Sequence, residues 1–158
     1  MMNNFHKFKV SLSWEKKQHH AFNNKNVSIK SHTVHISGKP ELAISAAKTF
    51  KGDPALYNPE DLLLSSLVSC HMMSYHYVCS QHRIEILSYS DSAEAILELY
   101  LNGSGRIIEV ILNPIVVIAD KSQIEKAIAL HNDANQICFI ANSCNFPVKH
   151  FAKCMGEN

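Results

Sequence analysis

Residues 58–79 read NPEDLLLSSLVSCHMMSYHYVC, and this stretch decides the fold. Asn58 is a favourable N-cap residue, and Pro59 suits the first helical position, where its missing N–H costs nothing. Glu60 and Asp61 place negative charge at the positive end of the helix dipole. These signals predict a helix that begins at Pro59 and continues through the apolar residues that follow.

The predicted helix has almost no polar face. Between Leu62 and Met73 its non-apolar side chains include only three serines besides Cys70 and His71. A helix that is apolar on most sides is expected to be buried nearly all round. One sheet covers only one face of such a helix. We therefore expect a partner subunit to pack against the remainder.

The composition indicates a single domain, residues 1–158, that is large enough to bury a core. The 15 basic and 14 acidic residues are scattered and give a net charge of +1, so neither nucleic acid nor a membrane surface is an expected partner. The first ten residues, MMNNFHKFKV, lack the apolar segment of a signal peptide. These features predict a soluble cytoplasmic protein.

Alternating apolar and polar residues predict strands on both sides of the helix. The predicted strands cover residues 8–14, 27–37, 84–89, 93–99, 106–118 and 146–155. Asn102 to Gly105 form a hairpin turn, and Pro114 marks a bulge or an edge in the longest strand. Glu15 to Asn26 is predicted to be a loop or wide hairpin, and Glu41 to Tyr57 a long connection.

A second helix follows Asp120, which is its predicted N-cap. Apolar positions recur there at helical spacing toward Cys138, at Ile124, Ala127, Ile128, His131 and Ala134. The order of strands, helix, strands, helix and strand predicts an α+β fold in which antiparallel sheets wrap around two central apolar helices.

The chain has five cysteines, at positions 70, 79, 138, 144 and 154. An odd number without a regular framework favours reactive thiols over structural bridges. A zinc site is an alternative, because His71, His76 and Cys79 follow closely on Cys70. On one helix, however, Cys70 and His71 point about 100° apart, and the usual zinc ligand spacings are absent. We therefore expect neither a metal nor a cofactor.

Two segments together resemble the OsmC/Ohr family of thiol-dependent hydroperoxide reductases. The first is NPE followed by an apolar helix, with Cys70 ten positions after Glu60; the second is ANQIC followed by FIANSCNFPV, around Cys138. The resemblance extends from about Val10 to Val148. It implies the OsmC-like fold and an intertwined homodimer with both central helices buried and two sites at the interface.

The resemblance also implies roles for the two cysteines. Cys70 is the peroxidatic nucleophile, whose thiolate attacks an organic hydroperoxide, releases the alcohol and becomes a sulfenic acid. Cys138 is the resolving thiol, which forms a disulfide with Cys70 that an external dithiol or a lipoylated protein reduces. From the helix alone, an inert buried Cys70 is favoured. Cys144 is a rival resolving thiol.

Members of the family place an arginine, paired with the NPE glutamate, near the thiol. The matching position here is Lys30, which keeps the charge but lacks the planar fork of arginine, and His32 is a second candidate. Glu60 lies about 15 Å from Cys70 along a straight helix. A direct role therefore requires a break in the helix or the partner subunit's Cys70. Otherwise Glu60 only caps its own helix.

These features predict a dimeric, cofactor-free peroxidase that reduces organic hydroperoxides in oxidative-stress defence, with Cys70, Cys138, Glu60 and Lys30 as site residues. The alternative is a family member with weak turnover that serves as a ligand-binding or redox-sensing module. A third hypothesis is a thiol hydrolase or a metal-binding protein. It is disfavoured because the sequence offers no identifiable oxyanion donors for a hydrolase and no ligand set for a metal.

Overall fold

The computed structural model describes residues 5–15 and 29–157. The chain divides into two compact units, Met1–Leu62 and Leu63–Asn158. The single domain expected from the length stays a prediction. Among the described residues, none of the helices has both the length and the apolar character that a membrane crossing requires.

The first unit contains a three-stranded antiparallel sheet in the order β1, β2, β3. The strands are β1 (Ser11–Ser13), β2 (His32–His35) and β3 (Leu42–Ile44). The strand predicted over residues 27–37 is shorter than expected, because Ile29 and Lys30 are helical. The loop predicted over residues 15–26 lies, apart from Glu15, outside the described residues.

The long connection before the central helix is folded on itself. It contains β3 and a short 3-10 helix, Lys48–Phe50. The Ser45 hydroxyl accepts a hydrogen bond from the Asp53 backbone N–H at 3.0 Å. Glycine is needed at position 52, because a Cβ there would lie 1.6 Å from the Ala46 carbonyl oxygen. The connection is therefore a compact turn rather than an extended loop.

The central helix, α1 (Pro59–Gln81), begins where the sequence predicts. Asn58 Oδ1 accepts from the Asp61 backbone N–H at 2.9 Å, and Asp61 Oδ2 accepts from the Asn58 backbone N–H at 3.3 Å. This reciprocal pair is a capping box. The helix is continuous over its 23 residues, so no break brings Glu60 to Cys70 of the same chain.

Helix α1 is buried on one face only, so the expectation of burial nearly all round is wrong for the single chain. The buried face consists of Leu67, Cys70, His71, Tyr75, Val78 and Cys79. Met73 and Tyr77, on another face, are 60% and 59% exposed. The chain's own strands and second helix cover one side of α1, and apolar side chains remain on the other.

The second unit contains two three-stranded sheets. One has the order β4 (Ile86–Ser90), β7 (Ile115–Ile118), β9 (Lys153–Gly156), and the other β5 (Glu94–Leu99), β6 (Gly105–Leu112), β8 (Val148–His150). The pairs β4–β7 and β5–β6 are antiparallel, whereas β7–β9 and β6–β8 are parallel. The α+β class is confirmed, but the expectation of purely antiparallel sheets is wrong, because the two last strands pair in parallel.

The single strand predicted over residues 106–118 is in fact two strands, β6 and β7, in different sheets. Pro114 lies between them and has no N–H to donate to a ladder. Its carbonyl accepts from the Lys153 N–H at 2.8 Å, and the Leu112 carbonyl accepts from the Phe151 N–H at 2.9 Å. The predicted tail strand is divided in the same way, into β8 and β9. The hairpin turn is confirmed, with Gly103 at φ +82°.

The second helix, α2 (Ile124–Ile137), follows a short 3-10 turn, Lys121–Gln123. The Asp120 side chain caps that turn by accepting from the Ser122 N–H at 2.9 Å. The buried residues of α2 are Ala127, Leu130, His131 and Ala134. Ile128, one of the positions at helical spacing, is 40% exposed, whereas Leu130 is buried. After α2, Cys138 leads into the short helix α3 (Phe139–Asn142).

Candidate active site

The structure brings Cys70 and Cys138 together in the second unit. Cys70 lies on the buried face of α1, and Cys138 is the C-cap of α2 and the N-cap of α3. Both are free thiols, 9% and 0% exposed. The two side chains are close enough for Cys70 to influence the pKa of the Cys138 thiol. Two neighbouring thiols can be joined as a disulfide once one of them is oxidised.

The surroundings of Cys138 keep its thiol protonated. Burial, and after it the hydrogen bond to Cys70, raises the pKa of Cys138, while the backbone N–H groups of Ala141 and Ile140 act in the opposite direction. Near neutral pH Cys138 is therefore a donor that faces the Cys70 sulfur.

Cys144, the rival resolving thiol, is placed differently. It is half-buried, and its thiol donates to the Ile140 carbonyl at 3.3 Å. Cys144 packs against the smaller core cluster, formed by Leu67, Val110 and Leu112. The geometry favours Cys138 over Cys144 as the partner of Cys70.

Lys30 and Glu60 both lie in the first unit, and they do not form an ion pair there. Lys30 Nζ donates to the Phe50 backbone carbonyl, and His32 Nδ1 lies 3.0 Å from the Lys30 carbonyl. Glu60 Oε2 is buried without a hydrogen-bond partner among the described residues. Asn58 and Asp61 make the capping hydrogen bonds, and Glu60 lies in the first turn of the helix, where negative charge is favourable. The approach of Lys30 or Glu60 to a thiol stays a prediction.

A cluster of aromatic rings lies between α1 and α2, and we call its members His71, Tyr75, His131 and His150 the imidazole cluster. His71 Nε2 and His131 Nδ1 are 3.0 Å apart and share a hydrogen bond. Tyr75 stacks on His131 with ring centroids 3.8 Å apart, and His150 stacks on His71 at 5.6 Å. His71 and His131 are both fully buried.

The sequence does not reveal this cluster as a unit. His71 and Tyr75 are four residues apart on α1, and Ala127 and His131 are four residues apart on α2. Each pair therefore lies on one helix face. The sequence shows only that each histidine stands among the apolar positions of its helix. This indicates that the ring is buried, but it does not identify the group that the ring contacts.

Burial keeps the imidazoles neutral. It lowers the pKa of His71 to about 4, with a smaller contribution from His150, and it lowers the pKa of His131 to about 3, with contributions from His71 and His150. Burial also lowers the pKa of His150. The tyrosines that face the rings, Tyr75 and Tyr89, have raised pKa values, mainly because they are buried. No charged group in the cluster offsets a proton on the histidines.

Several buried polar atoms near the thiols lack hydrogen-bond partners in the described part of the chain. They are His71 Nδ1, His131 Nε2 and Asn135 Oδ1. In residues 5–15 and 29–157, no three His, Cys, Asp or Glu side chains are arranged to hold a metal ion. The candidate site therefore consists of two thiols beside a neutral imidazole cluster.

A family model described as OsmC-like protein matches residues 52–150, which is more than half of the chain. A solved structure of an OsmC-like protein of unknown function from Vibrio cholerae is 28% identical, with a TM-score of 0.78 over 94% of this chain and 99% of that one. No curated protein matches the sequence.

Two further solved structures are similar in fold. An organic hydroperoxide resistance protein, OsmC, from Legionella pneumophila is 15% identical, with a TM-score of 0.71 over 97% of this chain and 99% of that one. An organic hydroperoxide resistance protein from Elizabethkingia anophelis is 14% identical, with a TM-score of 0.70 over 99% and 100%. At these identities the likeness concerns the fold alone.

The neutral histidines predict a loss of stability in acid. Their folded pKa values lie below the unfolded value of about 6.5, so below that pH the unfolded chain binds more protons. We expect the free energy of unfolding to fall as pH drops from about 6.5 toward 4, by at most about 1.4 kcal/mol per pH unit for each histidine. Urea unfolding between pH 4.5 and 8 measures this slope.

The matched variants are the double substitution His71→Gln with His131→Asn, and His82→Gln at an exposed position just after α1. The double variant should have the smaller acid slope, and His82→Gln should follow the wild type. Parallel curves for the double variant and the wild type would show that the two rings do not cause the slope.

Proposed function

The chain belongs to the OsmC-like protein family, and from this membership and its paired thiols we propose that it is a thiol-dependent peroxidase that reduces organic hydroperoxides to alcohols. Such an enzyme serves in oxidative-stress defence. The observation that carries the proposal is the pairing of Cys138 with Cys70 in a buried site, where Cys70 contributes to the raised pKa of the Cys138 thiol.

The proposed cycle begins at Cys70. Its thiolate attacks the distal oxygen of ROOH, so that an S–O bond forms, the O–O bond breaks, and the alkoxide takes up a proton and leaves as ROH. The Cys138 sulfur then attacks the Cys70 sulfenic acid, an S–S bond forms, the S–O bond breaks, and water leaves. An external dithiol or a lipoylated protein supplies two electrons and two protons and restores both thiols. No cofactor takes part.

Organic hydroperoxides suit this site better than hydrogen peroxide does. Cys70 lies on a face of α1 that is lined with apolar residues such as Leu67 and Val78. Apolar surroundings favour a ligand with a hydrocarbon part. Two proteins of the same fold, from Legionella pneumophila and Elizabethkingia anophelis, are named organic hydroperoxide resistance proteins, which supports the same choice of substrate.

Lys30 and Glu60 are proposed as electrostatic support for the thiolate. A cation near Cys70 would favour its charged form. Glu60 carries a buried oxygen that has no partner in the part of the chain that the structure describes, and this favours a contact with a group of another subunit. In this proposal Lys30 and Glu60 act on the partner subunit's Cys70, because Glu60 and Cys70 of one chain are ten residues apart on a continuous helix.

A homodimer follows from the same proposal. The outer face of α1 exposes Met73 and Tyr77, and the first unit separately exposes Phe8, Val10 and Leu12, which are 94%, 65% and 60% exposed. Contiguous exposed apolar groups mark interaction sites on soluble proteins. A second copy of the chain would cover these residues. The five cysteines, all free, are in keeping with a reducing cytoplasmic location.

One observation favours the alternative, a redox-sensing or ligand-binding module with weak turnover. The Lys30 ammonium group is already engaged by the Phe50 carbonyl. A lysine in that position has less freedom to assist a thiolate, and it lacks the bidentate geometry of arginine. The two functions differ in whether catalytic loss of peroxide accompanies disulfide formation.

The central prediction concerns the cysteines. With cumene hydroperoxide and a dithiol reductant, we expect turnover by the wild type and less than about 1% of that rate for Cys70→Ser, because a hydroxyl does not ionise near neutral pH. Cys138→Ser should still consume one equivalent of peroxide as the sulfenic acid forms. The rate of peroxide loss measures turnover, and the mass of the oxidised protein shows whether the sulfenic acid has formed.

Cys144→Ser is the matched control and should retain wild-type turnover. A reduced wild type that forms the Cys70–Cys138 disulfide once, without turnover on several hydroperoxides and dithiols, would favour the sensing module. Full activity in Cys70→Ser would remove the peroxidatic role altogether.

The role of Lys30 is predicted from its charge. Lys30→Gln should slow the single-turnover reaction with hydroperoxide about tenfold, equivalent to about 1.4 kcal/mol of transition-state stabilisation. Lys30→Arg should restore or raise the rate, because the guanidinium can hold a carboxylate and a thiolate together. Lys39→Gln, at an exposed position of the same unit, is the control. Equal rates for Lys30→Gln and the wild type would exclude this role.

The dimer is predicted from the exposed face of α1. Sedimentation equilibrium should give twice the chain mass of 17.7 kDa. The double substitution Met73→Glu with Tyr77→Glu should shift the protein toward the monomer, because burying unpaired carboxylates is costly. Asn132→Glu, at an exposed position of α2, should leave the mass unchanged. A monomeric wild type at micromolar concentration would contradict the proposal.

A further inference from the structure

Helices α1 and α2 are joined by three contacts between specific groups. The contacts join Tyr75 to Ala127, His71 to His131, and Cys70 to Cys138. Taken in this order, the contacts move toward the N-terminus of α1 and toward the C-terminus of α2. The two helices therefore run in opposite directions past each other, and the thiols form the last of the three contacts.

The histidine contact is the neighbour of the thiol contact on both helices. His71 directly follows Cys70 on α1, and His131 stands about two turns before Cys138 on α2. A helix is stiff over this length, because each residue is held by backbone hydrogen bonds. Fixing one ring against the other therefore limits how far the two sulfurs can separate.

Stability alone does not account for the histidine pair. One intramolecular hydrogen bond stabilises a folded protein only slightly, whereas a buried polar group without a partner destabilises it by at least as much. In residues 5–15 and 29–157, His71 Nδ1 and His131 Nε2 find no partner and are two such groups. Two apolar side chains of similar shape would be at least as stable. What the pair adds is a directional contact, and buried directional contacts specify one arrangement of the elements around them.

The hydrogen bond between the two rings is compatible with only a small range of positions of α2 along α1. The nitrogen-to-nitrogen distance is 3.0 Å, and the His131 ring is held by Tyr75, whose ring plane lies 11° from its own. A disulfide requires Cα atoms about 4.4–6.8 Å apart. A slide of one helix past the other by about one residue, roughly 1.5 Å, would break the hydrogen bond and change the distance between the sulfurs.

We infer that the His71–His131 hydrogen bond positions Cys138 for disulfide formation with Cys70. The inference rests on the proposed thiol chemistry of these two cysteines. The rings contact neither substrate nor reductant in this role. They are positioning residues, and they act through the helices that carry the thiols.

The test is the thiol–disulfide equilibrium with glutathione. A Cys70 thiolate attacks oxidised glutathione and releases one glutathione thiolate, and Cys138 then attacks the mixed disulfide and releases the second. Two electrons pass from the protein thiols to glutathione, and the two protons end on the released glutathione molecules. The ratio of disulfide to dithiol at fixed glutathione concentrations gives the effective concentration of one thiol at the other.

Removing the hydrogen bond should lower this effective concentration. We expect His131→Leu and His71→Leu each to reduce it about tenfold, equivalent to about 1.4 kcal/mol. The amide of asparagine lies close to the position of histidine Nδ1, and that of glutamine close to the position of Nε2. His131→Asn and His71→Gln should therefore return the value to within about threefold of the wild type.

Leu130→Ala is the control for loss of stability. It removes buried volume from the same helix, beside His131, without touching the hydrogen bond. It should lower the melting temperature and leave the effective concentration unchanged. Equal losses in Leu130→Ala and His131→Leu would overturn the inference, and so would a wild-type value in both leucine variants of the pair.

Where the leucine variants do not fold, the comparison of His131→Asn with His131→Gln decides. The shorter amide keeps its atoms where Nδ1 lies, and the longer one does not. Equal effective concentrations in these two variants would overturn the inference.

The glutathione measurement contains no hydroperoxide. A chain that consumes no peroxide but shows the expected series of effective concentrations would refute the proposed activity and support the positioning role. A chain that consumes peroxide but shows one effective concentration for all variants would support the activity and refute the positioning role.

Discussion

The packing of α2 on one face of α1 is the constraint on which the second unit depends. That face of α1 carries Cys70, His71 and Tyr75, and each of them meets a group of α2 or of the residue that ends it. The packing that covers the apolar face of α1 therefore also brings the two thiols together. The opposite face of the same helix keeps Met73 and Tyr77 exposed, so the element that builds the site also leaves apolar side chains uncovered.

Local features of the sequence predict the parts of the fold that local chemistry decides. Asn58 and Pro59 mark the start of α1, and Gly103 marks a hairpin, because capping and positive φ depend on a few adjacent residues. The division of residues 106–118 into two strands is not visible in their β-branched pattern. It depends on parallel pairing with residues 148–156, which lie beyond α2 in the sequence.

The candidate site was predictable to a similar extent. Resemblance to a family identifies Cys70 and Cys138, and in the structure Cys70 is near enough to affect the pKa of Cys138. The sequence does not predict their connection to the histidines, because His71 and His131 are 60 positions apart. The segment around each histidine indicates only that the ring is buried. Lys30 and Glu60 illustrate another limit: the pattern identifies their positions, whereas an effect on a thiol depends on contacts that no local pattern specifies.

The two parallel strand pairs have a consequence for the order of folding. Residues 148–156 supply the third strand to both sheets of the second unit, beside β6 in one and β7 in the other. During synthesis, these two strands have one unpaired edge each until that segment leaves the ribosome. Unpaired edges invite pairing with other chains, and contacts between distant residues form slowly. Newly made chains should therefore be most prone to aggregation while α2 is complete but these nine residues are not.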